Sequence, residues 1–313
     1  KVFENCILRR YGSFLSTAHN QFGFKKFLSC SHVIYSVRQT VNKLTQSGCT
    51  VNLCALDMCK AFDKMSHFGC YIKLMDRNIP SGLLNVLEHW FSISETCVRW
   101  GSSVSRFVLL NCGVRQGGVL SPHLFAIYID DIVYKISRSN DSSKINLVCV
   151  SIFMYADDIL LLSPSITLLQ RLVNLVEAEL TSLDMAINSA KSVCLRIGKR
   201  FDVSCSNIIL SNGNVIPWAT SCRYLGVYIQ SYRTFKCLFD NAKKSLYRAF
   251  NAIYGKIGHC ASLDVVFHLI NAKCMPSLTF GLNACPVNAT ERKSLDFTLF
   301  KSLQRYSVLY RIR

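Results

Sequence analysis

Leu147-Val148-Cys149-Val150-Ser151-Ile152-Phe153-Met154-Tyr155-Ala156-Asp157-Asp158-Ile159-Leu160-Leu161-Leu162 is the stretch on which the fold turns. It reads as two apolar strands, Leu147 to Ala156 and Ile159 to Leu162, joined by a tight acidic turn. A second apolar run, Val51-Asn52-Leu53-Cys54-Ala55-Leu56-Asp57, also reads as a buried strand and also ends in a carboxylate. Carboxylates this close to apolar segments are costly unless something compensates them, and bound divalent cations would do so. Two ions roughly 3.5–4 Å apart, bridged by Asp, are a standard clamp for in-line phosphoryl displacement, and hard oxygen ligands favour Mg²⁺. An Asp-Asp pair is equally at home as an ordinary turn. Spacing alone leaves both readings open.

Working outward, Leu120 to Ile136 has a helical pattern after the turn-forming Gly117-Gly118, with Ser121-Pro122 as cap and first position. Ser165 is placed to cap a helix carrying Leu168, Leu169, Leu172, Val176, Leu180 and Leu183 at helical spacing. Val193 to Ile197 and Arg223 to Ile229 read as strands. Asn241 to Ile257 reads as a basic amphipathic helix, with Lys243, Lys244, Arg248 and Lys256 on its polar side. Asp130-Asp131 read as part of a solvated helix face.

Composition narrows the class. Half of the 313 residues are hydrophobic, so the chain has the material for a packed core, and its length suggests two lobes. The best membrane candidate, Ile145 to Leu162, contains Asp157 and Asp158, which a bilayer centre tolerates poorly; no membrane association is expected. The sixteen cysteines sit singly in apolar runs and form no C-x-x-C pair, which points to buried thiols in a reducing compartment. His259-Cys260 and Cys274 are read as packing residues rather than zinc ligands. The net charge of +17 is uneven: residues 191–313 hold 18 Lys and Arg against 5 Asp and Glu. That excess fits a polyanion-binding face. The chain begins at Lys1, without an initiator Met, and is expected to be a piece of something longer.

Six segments in order then carry a resemblance. Gln21-Phe22-Gly23-Phe24-Lys25-Lys26, Asp57-Met58-Cys59-Lys60-Ala61-Phe62-Asp63, Gly113-Val114-Arg115-Gln116-Gly117-Gly118-Val119-Leu120-Ser121-Pro122, Tyr155-Ala156-Asp157-Asp158, Ile187-Asn188-Ser189-Ala190-Lys191-Ser192 and Tyr224-Leu225-Gly226 together resemble the motifs of reverse transcriptases from non-LTR (LINE-like) retrotransposons. They span about two-thirds of the chain. Phe27-Leu28-Ser29-Cys30 departs from the family pattern after the basic pair, and Gly118 and Ser192 are smaller departures.

The resemblance implies an α+β right-hand polymerase fold, with fingers, an antiparallel-sheet palm and a helical thumb. Residues 1–230 would form fingers and palm, and 231–313 a truncated, basic, thumb-like region. It implies an RNA-directed DNA polymerase, part of a retrotransposon polyprotein, that extends a DNA primer on an RNA template with deoxynucleoside triphosphates. Asp57, Asp157 and Asp158 would bind two Mg²⁺, with Mn²⁺ as a substitute, and Lys191 would be the general acid for pyrophosphate. Phe62 would close the space beside the sugar C2′, because excluding a hydroxyl takes a wall rather than an apolar contact. Arg115, Gln116 and Gly117 would lie near the nascent base pair and template, Lys25 and Lys26 on the triphosphate, and Tyr224, Leu225 and Gly226 in the primer grip. The family's way of life implies a nuclear location. The alternative is a decayed or domesticated copy that binds nucleic acid without polymerising.

Overall fold

Four of the expected strands meet in one sheet. In the computed structural model, which describes residues 1–257 and 261–311, β1 (Val51–Leu56) and β2 (Ile152–Tyr155) both pair antiparallel with β3 (Asp158–Ser163). His259-Cys260 lie outside the described residues. The register sets Leu53 opposite Leu162 and Leu56 opposite Ile159. On the other hand, Tyr155 faces Asp158 across the turn. Beyond β1 comes β4 (Val193–Ile197), giving the order β4-β1-β3-β2. Continuous apolar runs suit these strands because the middle of the sheet is covered on both faces.

Two compact units emerge, interleaved along the chain. The first comprises Lys1–Ser29, Asn52–Cys194 and Ser204–Trp218. Its helices α1 (His67–Met75), α2 (Ser121–Tyr128), α3 (Asp131–Arg138) and α4 (Ile166–Ser182) supply the cover: α1 packs on α2, α3 on β2, and α4 on β3. Ser165 caps α4 as its position suggests, its Oγ accepting from the Leu168 N–H at 3.4 Å. Leu169, Leu172, Val173, Val176 and Leu180 then form one fully buried stripe. Each such side chain contributes about 1.5–3 kcal/mol by leaving water.

The helix expected over Leu120 to Ile136 is instead two, α2 and α3, parted at Ile129-Asp130. Asp130 sits at the break. Far from lying on a solvated face, it is fully buried, and the Ala18 N–H donates to both of its carboxylate oxygens, at 2.9 and 3.0 Å. Arg77 Nη2 donates to it at 2.7 Å. Burial pushes the Asp130 carboxyl up, against the opposing pull of Ala18 and Arg77. Asp131, at the start of α3, pairs with Lys73 on the partly exposed side. Asp130→Ala would strand Arg77 and the Ala18 N–H; we expect a loss of about 3 kcal/mol, or roughly 10 °C in melting temperature, read by calorimetry. A change under about 1 kcal/mol would mean that the buried pair does not hold this unit together.

The strand expected from Leu147 is also shorter. Asn146 and Leu147 take left-handed φ values of 50° and 66°, so Lys144–Ile145 and Val148–Cys149 close a separate small hairpin, and β2 starts at Ile152.

The second unit comprises Cys30–Val51, Leu195–Val203 and Ala219–Arg313. Arg223 to Ile229 is not one strand there but a hairpin: β5 (Ser221–Tyr224) and β6 (Val227–Gln230) join through Leu225 and Gly226, and β7 (Lys236–Leu238) adds a third strand. Both turn residues have positive φ, 45° and 84°, the signature of a type I′ turn. The expected basic helix is present as α5 (Asp240–Ile257); it buries Leu246 and Phe250 and exposes Lys244 and Arg248. No helix among the described residues is long and apolar enough to cross a membrane.

Candidate active site

The carboxylates are placed by backbone, not by chance of packing. β1 ends at Leu56 opposite Ile159, so Asp57 leaves the sheet beside the point where β3 begins at Asp158. Asp57 is held there from its other side. Its N–H donates to Ser192 Oγ at 3.0 Å, and its carbonyl accepts from the Asn188 N–H at 2.8 Å. Ser192, fully buried, is in turn fixed by its own N–H on the Asn188 carbonyl at 2.9 Å. In the sequence Ser192 is only a small departure from the family pattern. Its hydroxyl is one anchor of the strand end that carries Asp57.

Asp157 sits at the tip of the β2–β3 turn, half-buried, with Asp158 exposed next to it. Ala156, the other tip residue, has φ +55°, which costs a non-glycine residue about 1–2 kcal/mol. Burial pushes the Asp157 carboxyl up, its own backbone N–H pulls it down, and the nearby charge of Asp57 raises it further. The structure therefore brings Asp57 and Asp157 within electrostatic reach of each other. Among the described residues, no three His, Cys, Asp or Glu side chains gather closely enough to hold a metal ion by themselves. Two mutually repelling carboxylates with hard oxygen donors do fit a divalent cation, which normally completes its shell with water and substrate phosphate.

This repulsion yields a prediction. A folded-state pKa above the unfolded value means that the penalty is full at pH above the raised pKa and disappears as Asp157 takes up its proton on acidification. Asp157→Asn should thus raise the melting temperature at pH 8 in the presence of a chelator, and the gain should shrink as the pH falls into the carboxylate range. Equal melting of the two proteins at pH 8 would show that no such repulsion exists.

The other first-unit candidates lie on neighbouring segments of the chain. Phe62 is half-buried and stacks on Phe125, ring centroids 4.3 Å apart, while its carbonyl accepts from the Val114 N–H at 3.0 Å. Gly113 packs so tightly on Asp63 that a Cβ would come within 2.9 Å of the Asp63 carbonyl oxygen. The segment bearing Arg115 and Gln116 is thereby laid along the one bearing Phe62. Arg115 and Gln116 are both exposed, and Gln116 Nε2 reaches Asp63 Oδ1 at 3.4 Å. Gly117 uses its freedom for a φ of 79° in open space; the crowded glycine is Gly118, whose Cβ would meet Ser121 Oγ at 2.5 Å. Lys191 is exposed on the turn that holds Asp57.

Lys25 and Lys26 line a cavity of about 870 Å³ with Arg9, Phe24 and His123. Lys25 is also committed inward: its Nζ donates to the Ala18 carbonyl at 2.6 Å, and burial lowers its pKa while Asp130 opposes that shift. Tyr224, Leu225 and Gly226 form the hairpin turn of the second unit, where Tyr224 is buried and a Cβ on Gly226 would strike the Phe280 ring at 2.7 Å.

Residues 1–229 match the family model described as reverse transcriptase (RNA-dependent DNA polymerase). Over 266 residues the chain is 27% identical to a retrovirus-related Pol polyprotein from the type-1 retrotransposable element R2 of Popillia japonica, covering 82% of this chain and 36% of that protein. It is 26% identical over 226 residues to the RNA-directed DNA polymerase from the mobile element jockey of Drosophila funebris, covering 69% of this chain and 24% of that one. The chain thus spans about a third or less of these relatives. Among solved structures, the telomerase of Candida tropicalis in complex with a fragment of telomeric RNA superposes with a TM-score of 0.51 at 11% identity, over 88% of this chain and 44% of that one. That likeness speaks to the fold alone: a right-hand polymerase fold of mixed helix and sheet.

Proposed function

The chain belongs to the reverse transcriptase (RNA-dependent DNA polymerase) family, and from that premise we propose that it extends a DNA primer on an RNA template, as the polymerase portion of a non-LTR retrotransposon protein. The observation that carries the reading is the pairing of Asp57 and Asp157, at two strand ends of one sheet, within reach of each other's charge. Proteins of this family generally use divalent metal ions. Here Asp57 and Asp157, with Asp158 beside them, would hold two Mg²⁺, or Mn²⁺ in their place. Bound there, such ions supply charge neutralisation at the attacking and leaving oxygens of the phosphoryl transfer.

The chain's own residues do the positioning. The primer 3′-oxygen attacks the α-phosphorus of the incoming nucleotide, and the bond to pyrophosphate breaks in line with it. Phe62, its ring fixed by Phe125, walls off the 2′ position and selects deoxynucleotides. Arg115, Gln116 and Gly117 contact the template and nascent pair, Lys25 and Lys26 the triphosphate. Lys191 gives a proton to the departing pyrophosphate. Residues 1–230 act as fingers and palm. The region 231–313 acts as a thumb, with the exposed Lys244 and Arg248 of α5 following the backbone of the hybrid, while Tyr224, Leu225 and Gly226 grip the primer. The setting is nuclear.

Extension of oligo(dT) on poly(rA) with dTTP and Mg²⁺ tests this. A ladder of products that disappears with EDTA is expected. Hybrid binding without incorporation on any template would replace the polymerase with a decayed copy that only binds nucleic acid.

A further inference from the structure

The residue that most directly grips the catalytic turn is neither a carboxylate nor a neighbour in sequence. Gln21 is fully buried, 135 positions away from Ala156. Its side-chain Oε1 accepts from the Ala156 N–H at 3.1 Å and from the Gly23 N–H at 3.0 Å, and its Nε2 donates to the Ala156 carbonyl at 3.5 Å. One amide thus spans both backbone groups of the residue that carries the left-handed φ and precedes Asp157. The backbone on either side locks this arm in place: the Met154 N–H donates to the Asn20 carbonyl at 2.9 Å, and the Phe22 N–H to the Met154 carbonyl at 2.8 Å. Gly23 allows the approach, since a Cβ there would lie 2.6 Å from the Ala156 nitrogen.

A non-glycine residue at φ +55° persists only where its surroundings over-determine it. Release of Ala156 would let its dihedrals relax and would swing the next side chain, Asp157, away from Asp57. We propose that Gln21 is a positioning residue of the active centre: it sets the direction of the Asp157 carboxylate through the Ala156 peptide, and touches neither nucleotide nor template. This rests on the polymerase reading for its effect on rate, but not for its effect on the cation site.

The test uses the whole chain with Gln21→Met, which keeps length and packing but makes none of these bonds, and Gly23→Ala, whose Cβ would press on the Ala156 nitrogen and on Gln21 Oε1. Two readouts are needed, both on protein shown folded by its melting curve. The first is Mn²⁺ affinity by electron paramagnetic resonance, without nucleic acid; we expect a weakening of about tenfold in either variant. The second is single-turnover extension. There we expect kcat to fall about 30-fold with KM for dTTP and affinity for the hybrid within twofold, and the Mg²⁺ concentration for half-maximal rate to rise about tenfold. A purely structural role would lower the folded fraction without moving the metal dependence of the folded protein. If either folded variant binds Mn²⁺ as the wild type does, the proposal is overturned. Should the wild type bind Mn²⁺ but incorporate nothing, the polymerase reading fails, and weaker Mn²⁺ binding by the variants still upholds Gln21 as the positioning residue.

Discussion

Asp157→Ala should reduce the rate of primer extension by at least about 10³-fold while leaving affinity for the RNA–DNA hybrid within about twofold. The size of the effect follows from the place of the residue. Catalysis of phosphoryl transfer is mostly electrostatics and alignment, so removing a group that holds the compensating charge removes a transition-state interaction rather than a uniform binding one. Asp157 is at a turn tip, bonded through its backbone neighbours and not through core packing, so its truncation leaves β2 and β3 paired. A loss of kcat with unchanged hybrid binding is the signature. Pre-steady-state extension from a fixed primer measures it, and a loss under tenfold would remove Asp157 from the reacting centre.

Phe62→Val should relax sugar selection by about 100-fold, within the range that one pocket wall supplies. Stacked on Phe125, the Phe62 ring has little freedom to turn aside for a 2′-hydroxyl. Valine leaves the backbone bond from the Val114 N–H intact and opens the space that the ring filled. Ribonucleotide incorporation should rise while deoxynucleotide incorporation changes by less than about fivefold, with the ratio of kcat/KM values for dTTP and UTP as the measure. An unchanged ratio would make Phe62 a core aromatic and nothing more.

Much of this was legible in the sequence because the decisive signals are local. The apolar runs ending at Asp57 and flanking Asp157 predict buried strands with acidic ends, and the sheet has both. Ser165 and the stripe from Leu169 to Leu180 predict the capped helix found there. What escaped was set by contacts across the chain. Nothing in the pattern around Asp130 distinguishes an exposed acidic pair from one carboxylate buried on Ala18 and Arg77, so the helix break at Ile129-Asp130 was invisible. The break at Asn146-Leu147 and the turn at Leu225-Gly226 depend on positive φ at Leu147 and Leu225, which leucine rarely adopts. At the site, residue types pointed to the carboxylates, but not to Ser192 behind Asp57 or to the way Gln21 reaches Ala156; these are partnerships 135 residues apart.

Asp57 and Asp157 are proposed to share a cation. Mn²⁺ affinity of four proteins (wild type, Asp57→Asn, Asp157→Asn and the double variant) tests it most directly, as a thermodynamic cycle. Sharing predicts that each single change weakens binding strongly and that the double change adds little more. Additive losses, or full affinity in either single variant, would contradict it.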